Sequence, residues 1–468
     1  MPMQGNSATI RRERVARRRP PQALSIPSDE PAWMGYLLVI FMITLFIPKS
    51  VALNLGSVAL TPTLASALVL FPVLLFGGRI RFVWPDLIVV LFFLSVFFSI
   101  IRSVPFGPGI ENFGRTVLIA GVPYLVGRYV GSRPGTFNPF MRRMMTVMAI
   151  LAVFLLIESV FRINIHSIIW SEPYAPHKDI RLGLTRAYGW TSHSIMLGVS
   201  YAVFVPVMLI AAIERMPQFG RYRWLKLGLL FIGVFTSLST GAWGPAAMAV
   251  ALVIWDYMKF IKPGTRWAFT FFGSISSYFL LEMLSNRPLL RILMMELHLS
   301  DPMAWYYRWR LFERVYAVMP GYEWFGHGLK QPENMIDAWQ WSIDNNYLVV
   351  LMQYGRMGLT LWIAIAVSVL VYGWKTIWNA PDTPYRRIAR AVMFAVVTVG
   401  FTQISVAMFS TAEMLNWLFL GLGIGIAQGL GGTAANSKRV PRRRPMSQRP
   451  TSPSPTTELA GSGTSQVA

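Results

Sequence analysis

The chain has 468 residues and a formal net charge of +22, and 54% of its residues are hydrophobic while only 14% are charged. Soluble domains carry about a quarter charged residues, so this composition excludes an ordinary soluble domain and indicates a protein with many membrane-spanning segments. Because there is no cysteine, disulfide bonds and thiolate chemistry are excluded as well.

Long apolar stretches recur along almost the whole sequence. A bilayer core needs about 20 consecutive apolar residues in a helix, and twelve stretches reach or approach that length. They are 33–50, 57–76, 84–101, 116–130, 141–161, 193–213, 225–240, 243–260, 267–284, 346–374, 388–410 and 413–430. The sequence therefore predicts an all-α polytopic membrane protein with about twelve transmembrane helices.

The basic residues predict the orientation of these helices. Lysine and arginine in short loops stay on the cytoplasmic side of a membrane. The N-terminal sequence RRERVARRRP starts the chain on that side, and every second loop after it is basic, up to the tail sequence KRVPRRR. Both termini are thus predicted to be cytoplasmic, and attraction to anionic membrane lipids explains the basic segments better than nucleic-acid binding does.

The prediction divides the chain into five parts. Residues 1–32 form a disordered basic cytoplasmic N-terminus, and 33–284 carry helices 1–9 with an external loop at 162–192. Residues 285–345 form a large periplasmic loop before helix 10, 346–430 carry helices 10–12, and 431–468 form a disordered basic cytoplasmic tail. The histidines lie in or next to the two external segments without the spacing of a metal site, so neither a metal nor another cofactor is expected.

The two external segments contain arginines, although the positive-inside rule favours arginine on the cytoplasmic side. Arg181 and Arg186 lie in or next to the first segment, and Arg308 and Arg310 lie in the second. A guanidinium group presents a planar fork of donors that matches phosphate geometry, so these residues suit a lipid pyrophosphate at the membrane surface. The alternative is that they pair with acidic residues of the long loop, such as Asp344.

The sequence DNNYLVVLMQYGRMGL, which begins at Asp344, marks the entry of the long loop into helix 10. At the boundary between water and lipid the carboxylate can ionise, and Asp344, Asn345 and the asparagine after them can cap the helix. Gly355 and Gly358 share a helix face, which would let another helix or a lipid chain come close. From these residues alone, capping and packing would explain the segment.

Four sequence motifs resemble, in the right order, those of the O-antigen ligase and O-antigen polymerase superfamily. The fourth motif (residues 344–358) carries the clearest likeness, with an acidic residue and Asn followed by nine residues and GxxG. The first motif (residues 186–199) reads RAYGWTSHSIMLGV. The second motif (residues 237–246) reads SLSTGAWGPA, with Thr240 where many members have arginine. The third motif (residues 308–328) reads RWRLFERVYAVMPGYEWFGHG.

The resemblance implies a GT-C-like, metal-independent glycosyltransferase in a bacterial inner membrane. Such an enzyme would join oligosaccharide repeat units linked to polyprenyl pyrophosphate on the periplasmic face, as an exopolysaccharide or O-antigen polymerase. Ligases of the superfamily, which transfer glycan to lipid A core, have histidine where this chain has Asp344, so a polymerase is favoured over a ligase. Besides its glycan-lipid substrate and membrane lipids, a chain-length regulator or an export complex is an expected partner.

The expected chemistry gives each candidate residue a role. The acceptor hydroxyl must lose a proton as it bonds to the anomeric carbon, and a positioned carboxylate can accept that proton. The expected catalytic residues are Asp344 as the base, with Arg186 and Arg308 on the pyrophosphate. The expected substrate-binding residues are Arg181, Arg310, His193 and Asn345.

A lipid-linked sugar flippase or another transporter is the alternative from a different class. Twelve helices with both termini inside is also a common transporter layout. Transporters usually show internal repeats and ionisable residues near the middle of the membrane. This sequence shows no repeat and few such residues, which favours the enzyme.

Overall fold

The computed structural model describes residues 31–55, 58–77, 80–171, 180–258, 262–285, 302–330, 332, 343–380 and 382–439. The predicted disorder of residues 1–30 and of the tail after residue 439 lies outside the described residues. Within the predicted periplasmic loop, residues 286–301, 331 and 333–342 also lie outside them. Arg308 lies in a described helix, but its side chain is outside the described set.

Helices dominate the described part of the chain. The α-helices are α1 (Ala32–Thr44), α2 (Pro62–Phe76), α3 (Trp84–Ser103), α4 (Phe106–Thr116), α5 (Val122–Gly131), α6 (Pro134–Phe161), α7 (Ile165–Trp170), α8 (Ser194–Ala202), α9 (Val205–Ile213), α10 (Arg223–Thr236), α11 (Thr240–Tyr257), α12 (Pro263–Leu284), α13 (Pro302–Val318), α14 (Asn346–Asn379), α15 (Pro384–Thr402) and α16 (Ser410–Arg439). A π-helical turn at Val117–Gly121 joins α4 to α5, and a 3₁₀ turn covers Pro217–Phe219.

Among the described residues, β-structure is confined to two short antiparallel strand pairs in the connections. Strand β1 (Leu53–Leu55) pairs with β2 (Val58–Leu60), with Asn54 opposite Ala59. Strand β3 (Ile180–Arg181) pairs with β4 (Leu184–Thr185), with Arg181 opposite Leu184. Each pair is a small hairpin, and neither forms part of the apolar core.

The fold is that of an all-α membrane protein. Each predicted span overlaps a helix, and six helical stretches of the described chain are long and apolar enough to cross a membrane: Trp84–Ser103, Pro134–Phe161, Ser194–Ile213, Thr265–Leu284, Asn346–Ile377 and Ser410–Gly431. Helices α1 and α2 are apolar but shorter. The number of twelve crossings stays a prediction. The last helix continues to Arg439, past the predicted end of helix 12 at residue 430.

Apolar side chains cover the outside of the bundle as well as its core. On α12, Phe269, Phe272 and Phe279 are each more than half exposed, and Phe98 on α3 is similar. A soluble protein rarely exposes apolar surface of this extent, whereas lipid tails solvate it without cost. The centre consists of α8, α9 and α16, whose apolar stretches are mostly buried.

Helices α5 and α16 pack backbone against backbone through glycines. A Cβ atom added to Gly127 would lie 2.2 Å from the carbonyl oxygen of Leu418, and one added to Gly425 would lie 2.6 Å from that of Arg128. Small residues spaced by four are typical of close helix pairs in membranes. Because the contacts advance along both helices together, α5 and α16 run in parallel.

Contacts between remote residues sort the helix ends into two groups. We call one group the motif end, because it contains the connections that carry the four motifs; it is joined by contacts such as Ser103 with Leu329 and Thr411 with Leu45. We call the opposite group the ion-pair end. It is joined by ion pairs of Arg128 with Asp86, Arg387 with Glu214 and Asp382, and Arg266 and Arg390 with Asp256.

Arg128 shows that the basic residues are not all loop charges. Its side chain is fully buried in α5, and its Nε and Nη2 atoms donate to the two carboxylate oxygens of Asp86 at 2.8 and 2.9 Å. A buried guanidinium needs such a bidentate partner, because removing either charge alone would leave the other desolvated.

Candidate functional site

The first and second motifs lie side by side at the motif end. Arg186 is only 4% exposed, and its Nε atom donates to the carbonyl oxygen of Ser237 at 3.1 Å. The next backbone amide, of Ala187, donates to the carbonyl oxygen of Thr236 at 2.9 Å. These two bonds join the loop before α8 to the turn between α10 and α11, so Arg186 connects two motifs that are distant in the sequence.

A carboxylate from α6 fixes the loop of the first motif. Glu158 is 1% exposed and accepts hydrogen bonds from the backbone amides of Tyr188 and Gly189 and from the Nδ2 atom of Asn164, at 2.9 to 3.0 Å. Gly189 has a φ of 55°, which favours glycine. Neither Glu158 nor Asn164 was among the predicted site residues, yet they set the course of this loop.

Arg181 and His193 lie on either side of this loop. Arg181 is exposed, and its Nη1 atom donates to the carbonyl oxygen of Leu238 at 3.3 Å. His193 is half-buried and is the N-cap of α8, with its Nδ1 atom accepting from the amide of Ile195 at 3.3 Å. Arg181 is therefore more accessible to a ligand than Arg186. His193 caps a helix, a role that was not predicted from the sequence.

His166 also lies close to the first motif, on the short helix α7. Its ring centroid is 5.9 Å from that of Trp190, and burial lowers the pKa of His166 to about 4. The imidazole is consequently neutral at physiological pH. It contributes packing here, and it supplies no positive charge to an anionic ligand.

Asn345 and Asp344, the first two residues of the fourth motif, have different roles. Asn345, which is buried, is the N-cap of α14, and its Oδ1 atom accepts from the amide of Leu348 at 3.1 Å. Asp344 is half-buried and makes no side-chain hydrogen bond or ion pair with any described residue. The cap predicted for this segment is therefore made by Asn345, and the carboxylate of Asp344 does not take part in it.

A buried amide cluster holds the start of α14 against the connection between α15 and α16. The Nδ2 atom of Asn346 donates to Gln403 Oε1 at 3.0 Å, and Trp362 donates to the same oxygen at 2.7 Å. The Oδ1 atom of Asn346 accepts from the amide of Met408 at 3.0 Å. Gln403 was not among the predicted site residues. An amide inside an otherwise apolar predicted span nevertheless indicates a specific hydrogen-bond partner.

The GxxG of the fourth motif forms a break in α14. Gly355 has φ 68° and ψ −168°, and a Cβ atom there would lie 2.4 Å from the carbonyl oxygen of Trp324. A Cβ atom on Gly358 would lie 2.3 Å from that of Tyr354 in its own helix. The prediction that the two glycines share one continuous helix face is therefore wrong. Gly355 is needed for a positive φ, and the close neighbour of Gly358 is a residue of the same helix.

The end of the third motif fills this break. The amides of His327 and Gly328 donate to the carbonyl oxygens of Met352 and Gln353, both at 2.8 Å. In return, the amides of Arg356 and Met357 donate to the carbonyl oxygens of Glu323 and Trp324. A break in a membrane helix leaves such groups without helical partners, and all four are paired here by one segment.

The rest of the third motif continues from helix α13. The Nε2 atom of His327 lies 2.8 Å from the carbonyl oxygen of Val318, and the ring of His327 stacks on Tyr322 with centroids 3.9 Å apart. Arg310 is exposed on α13. Arg308 lies two residues earlier on the same helix, outside the described side chains.

The connection between α15 and α16 brings the two pairs of motifs to one place. A Cβ atom on Gly241 of the second motif would lie 3.1 Å from Val406. Two residues later in this connection, the amide of Met408 donates to Asn346 beside the fourth motif. The structure thus gathers all four motifs at the motif end. It does not join Asp344 to an arginine, because no such ion pair exists among the described residues.

The fold and these contacts define the class as an all-α membrane protein with a polar site at one end of its helical bundle, where a broken helix meets a loop. No protein-family model matches the chain, and no curated protein matches it either. The superfamily resemblance therefore rests on the four motifs, and it enters below as part of a proposal.

Proposed function

We propose that this chain is a metal-independent glycosyltransferase that joins oligosaccharide repeat units linked to polyprenyl pyrophosphate, at the periplasmic face of a bacterial inner membrane. The observation that carries the proposal is the meeting of four motifs at one end of the bundle, although they are far apart in the sequence. Their resemblance to the O-antigen ligase and polymerase superfamily supplies the expected chemistry.

Asp344 is the proposed general base. Its carboxylate is half-buried and is not neutralised by an ion pair with a described arginine, so it retains the capacity to accept a proton. The oxygen of the acceptor hydroxyl bonds to the anomeric carbon of the donor while the bond from this carbon to the pyrophosphate oxygen breaks. The hydroxyl proton passes to Asp344, and the pyrophosphate leaves with the bonding electron pair.

The arginines are proposed to stabilise the leaving group. Negative charge grows on the departing pyrophosphate, and cations that are already in position stabilise it without reorganisation. The exposed Arg181 and Arg310 are the accessible candidates for this contact. Arg186 would act from its buried position beside Ser237, and Arg308 is included on the strength of the third motif.

A polymerase is favoured over a ligase because Asp344 occupies the position where ligases of the superfamily have histidine. On this proposal the acceptor is a second lipid-linked glycan and the product is a longer chain on the same kind of lipid. A chain-length regulator or an export complex would be the expected protein partner.

The change from Asp344 to Asn tests the proposal. Asparagine has the same shape, and Asn345 supplies the helix cap, so the fold of α14 should not change. Loss of a general base typically lowers a rate by about a hundred- to ten-thousand-fold. We expect a fall of this size in the polymer formed by membranes supplied with lipid-linked repeat units, normalised to the amount of protein.

Asp382→Asn is the matched control, because it removes a carboxylate at the ion-pair end without touching a motif. We expect its turnover to stay near that of the parent protein. Near-normal turnover of Asp344→Asn would remove Asp344 from the mechanism. Repeat units trapped on the inner leaflet of a deletion strain would instead indicate a flippase.

A further inference from the structure

A small cleft lies at the motif end, outside the four motifs. It is bounded by the connection after α1 and by residues of α2, α4 and α16, and its lining includes Lys49, Thr61, Arg115 and Ser410. Most of the other lining side chains are apolar. Two cations and four hydroxyl groups, with those of Thr63 and Thr411 included, therefore share a cleft that also offers apolar surface.

Two helices begin at this cleft. Helix α2 starts directly after Thr61, whose hydroxyl oxygen accepts from the amide of Leu64 at 3.3 Å, and α16 starts at Ser410. The first amides of a helix lack helical partners, and the helix dipole adds positive potential at the same end. The N-terminal ends of α2 and α16 therefore both favour an anion in this cleft.

Ser410 provides an independent sign of a missing partner. It is only 6% exposed and has a φ of 60°, outside the range that side-chain-bearing residues usually adopt. Its hydroxyl group makes no hydrogen bond with any described residue. Because Ser410 lines the cleft, its hydroxyl group can bond to a ligand oxygen there.

The charges at the cleft are not balanced internally. Neither Lys49 nor Arg115 forms an ion pair within the described part of the chain. Glu413, in the first turn of α16, interacts electrostatically with Lys49. With two cations near a single carboxylate, the cleft keeps an excess of positive charge.

We propose that this cleft binds the phosphate group of a lipid. Arg115 and Lys49 would contact the phosphate oxygens, and Ser410 and the first amides of α16 would add hydrogen bonds. Apolar residues such as Leu64, Ile119 and Met414 would contact the lipid chain. The identity of the natural ligand rests on the proposed function: it is the pyrophosphate of the second lipid-linked glycan. On that proposal a polymerase has to hold two such lipids at once, and the cleft would hold one of them.

Binding of radiolabelled farnesyl pyrophosphate to the full-length purified protein tests this site without any need for catalysis. We expect the parent protein to bind two equivalents, one at the four motifs and one in the cleft. Lys49→Gln combined with Arg115→Gln should weaken the binding of one equivalent by about tenfold or more, since two charge-assisted hydrogen bonds are lost. Glu413→Gln should strengthen binding, because it removes the opposing negative charge. Arg102→Gln, which changes an exposed arginine at the same end but outside the cleft, should leave the affinity unchanged.

Competition separates the two sources of a lipid phosphate. Displacement by polyprenyl pyrophosphate, but not by phosphatidylglycerol in lipid nanodiscs, would assign the site to the glycan carrier. Displacement by phosphatidylglycerol would support the site as one for a bilayer lipid. Unchanged affinity in the Lys49 and Arg115 double variant, with normal size-exclusion behaviour, would overturn the proposal. That outcome is independent of the Asp344 experiment, so the two proposals fail separately.

Discussion

Arg181 and Arg186 differ in exposure although both bond to backbone carbonyl groups of the turn that carries the second motif. Arg186 is buried and bonds to Ser237, whereas Arg181 is exposed and bonds to Leu238. At the residue scale, then, one arginine is suited to hold two motifs together and the other to meet a ligand. The planar guanidinium group is important in both roles, because lysine offers a point charge without the fork of donors.

Replacing Arg186 by Lys tests whether this group is more than a fold determinant. We expect polymer output to fall by at least about tenfold at unchanged membrane abundance, because lysine keeps the charge but loses the bidentate fork. Output per milligram of membrane protein and abundance are measured together. Arg162→Lys, an exposed arginine at the end of α6, is the control and should have no effect. A proportional fall in abundance and output would mean that Arg186 serves only the fold.

At the scale of elements, the break in α14 is the feature that shapes the motif end. The helix could not continue through Gly355 with its present neighbours, because the segment from Glu323 to Gly328 occupies the space and pairs the backbone groups on both sides. Helix and loop thus depend on each other. A broken membrane helix is tolerated where protein backbone replaces the missing bonds, and such sites commonly line functional cavities.

Gly355→Ala should therefore be strongly destabilising. Alanine at a φ of 68° is strained, and its Cβ atom would lie 2.4 Å from the backbone of Trp324, so we expect a loss of roughly 1–3 kcal/mol or more. The measurement is the midpoint of thermal unfolding in detergent. Gly228→Ala is the matched control, because no atom lies within 4 Å of its added Cβ in α10, and alanine favours a helix. Equal midpoints for the two variants would contradict the structure of the break.

At the scale of the whole molecule, the charges divide between the two ends of the bundle. The ion-pair end contains buried pairs such as Arg128 with Asp86, whereas Arg181 and Arg186 at the motif end bond to backbone carbonyl groups. The parallel packing of α5 against α16 requires the fourth and the last predicted spans to cross in the same direction. This agrees with the seven spans predicted between them, because helices that cross in the same direction need an odd number of crossings between them.

Topology reporters test that arrangement in cells. We expect alkaline phosphatase fused within residues 331–342 to be active, because this segment is predicted to be periplasmic. Fusions at Asp382 or after residue 439 should be inactive, because these positions are predicted to be cytoplasmic, where the enzyme does not form its disulfides. Expression levels of the fusions serve as the control. An active fusion after residue 439 would contradict the predicted cytoplasmic tail, and with it an even total number of crossings.

The sequence by itself determined the membrane class and the positions of the helices, because long apolar runs are a local property that lipid selects directly. It also pointed to the segments of the motif end through their polar residues. Only the tertiary structure decided that Asn345 and not Asp344 caps α14, that Gly355 breaks the helix, and that Gln403 and Glu158 hold the site. Gly355, Gln403 and Glu158 depend on partners 30 or more residues away in the sequence, and the cap depends on which of two adjacent side chains accepts a local hydrogen bond. Neither hydropathy nor spacing encodes these choices.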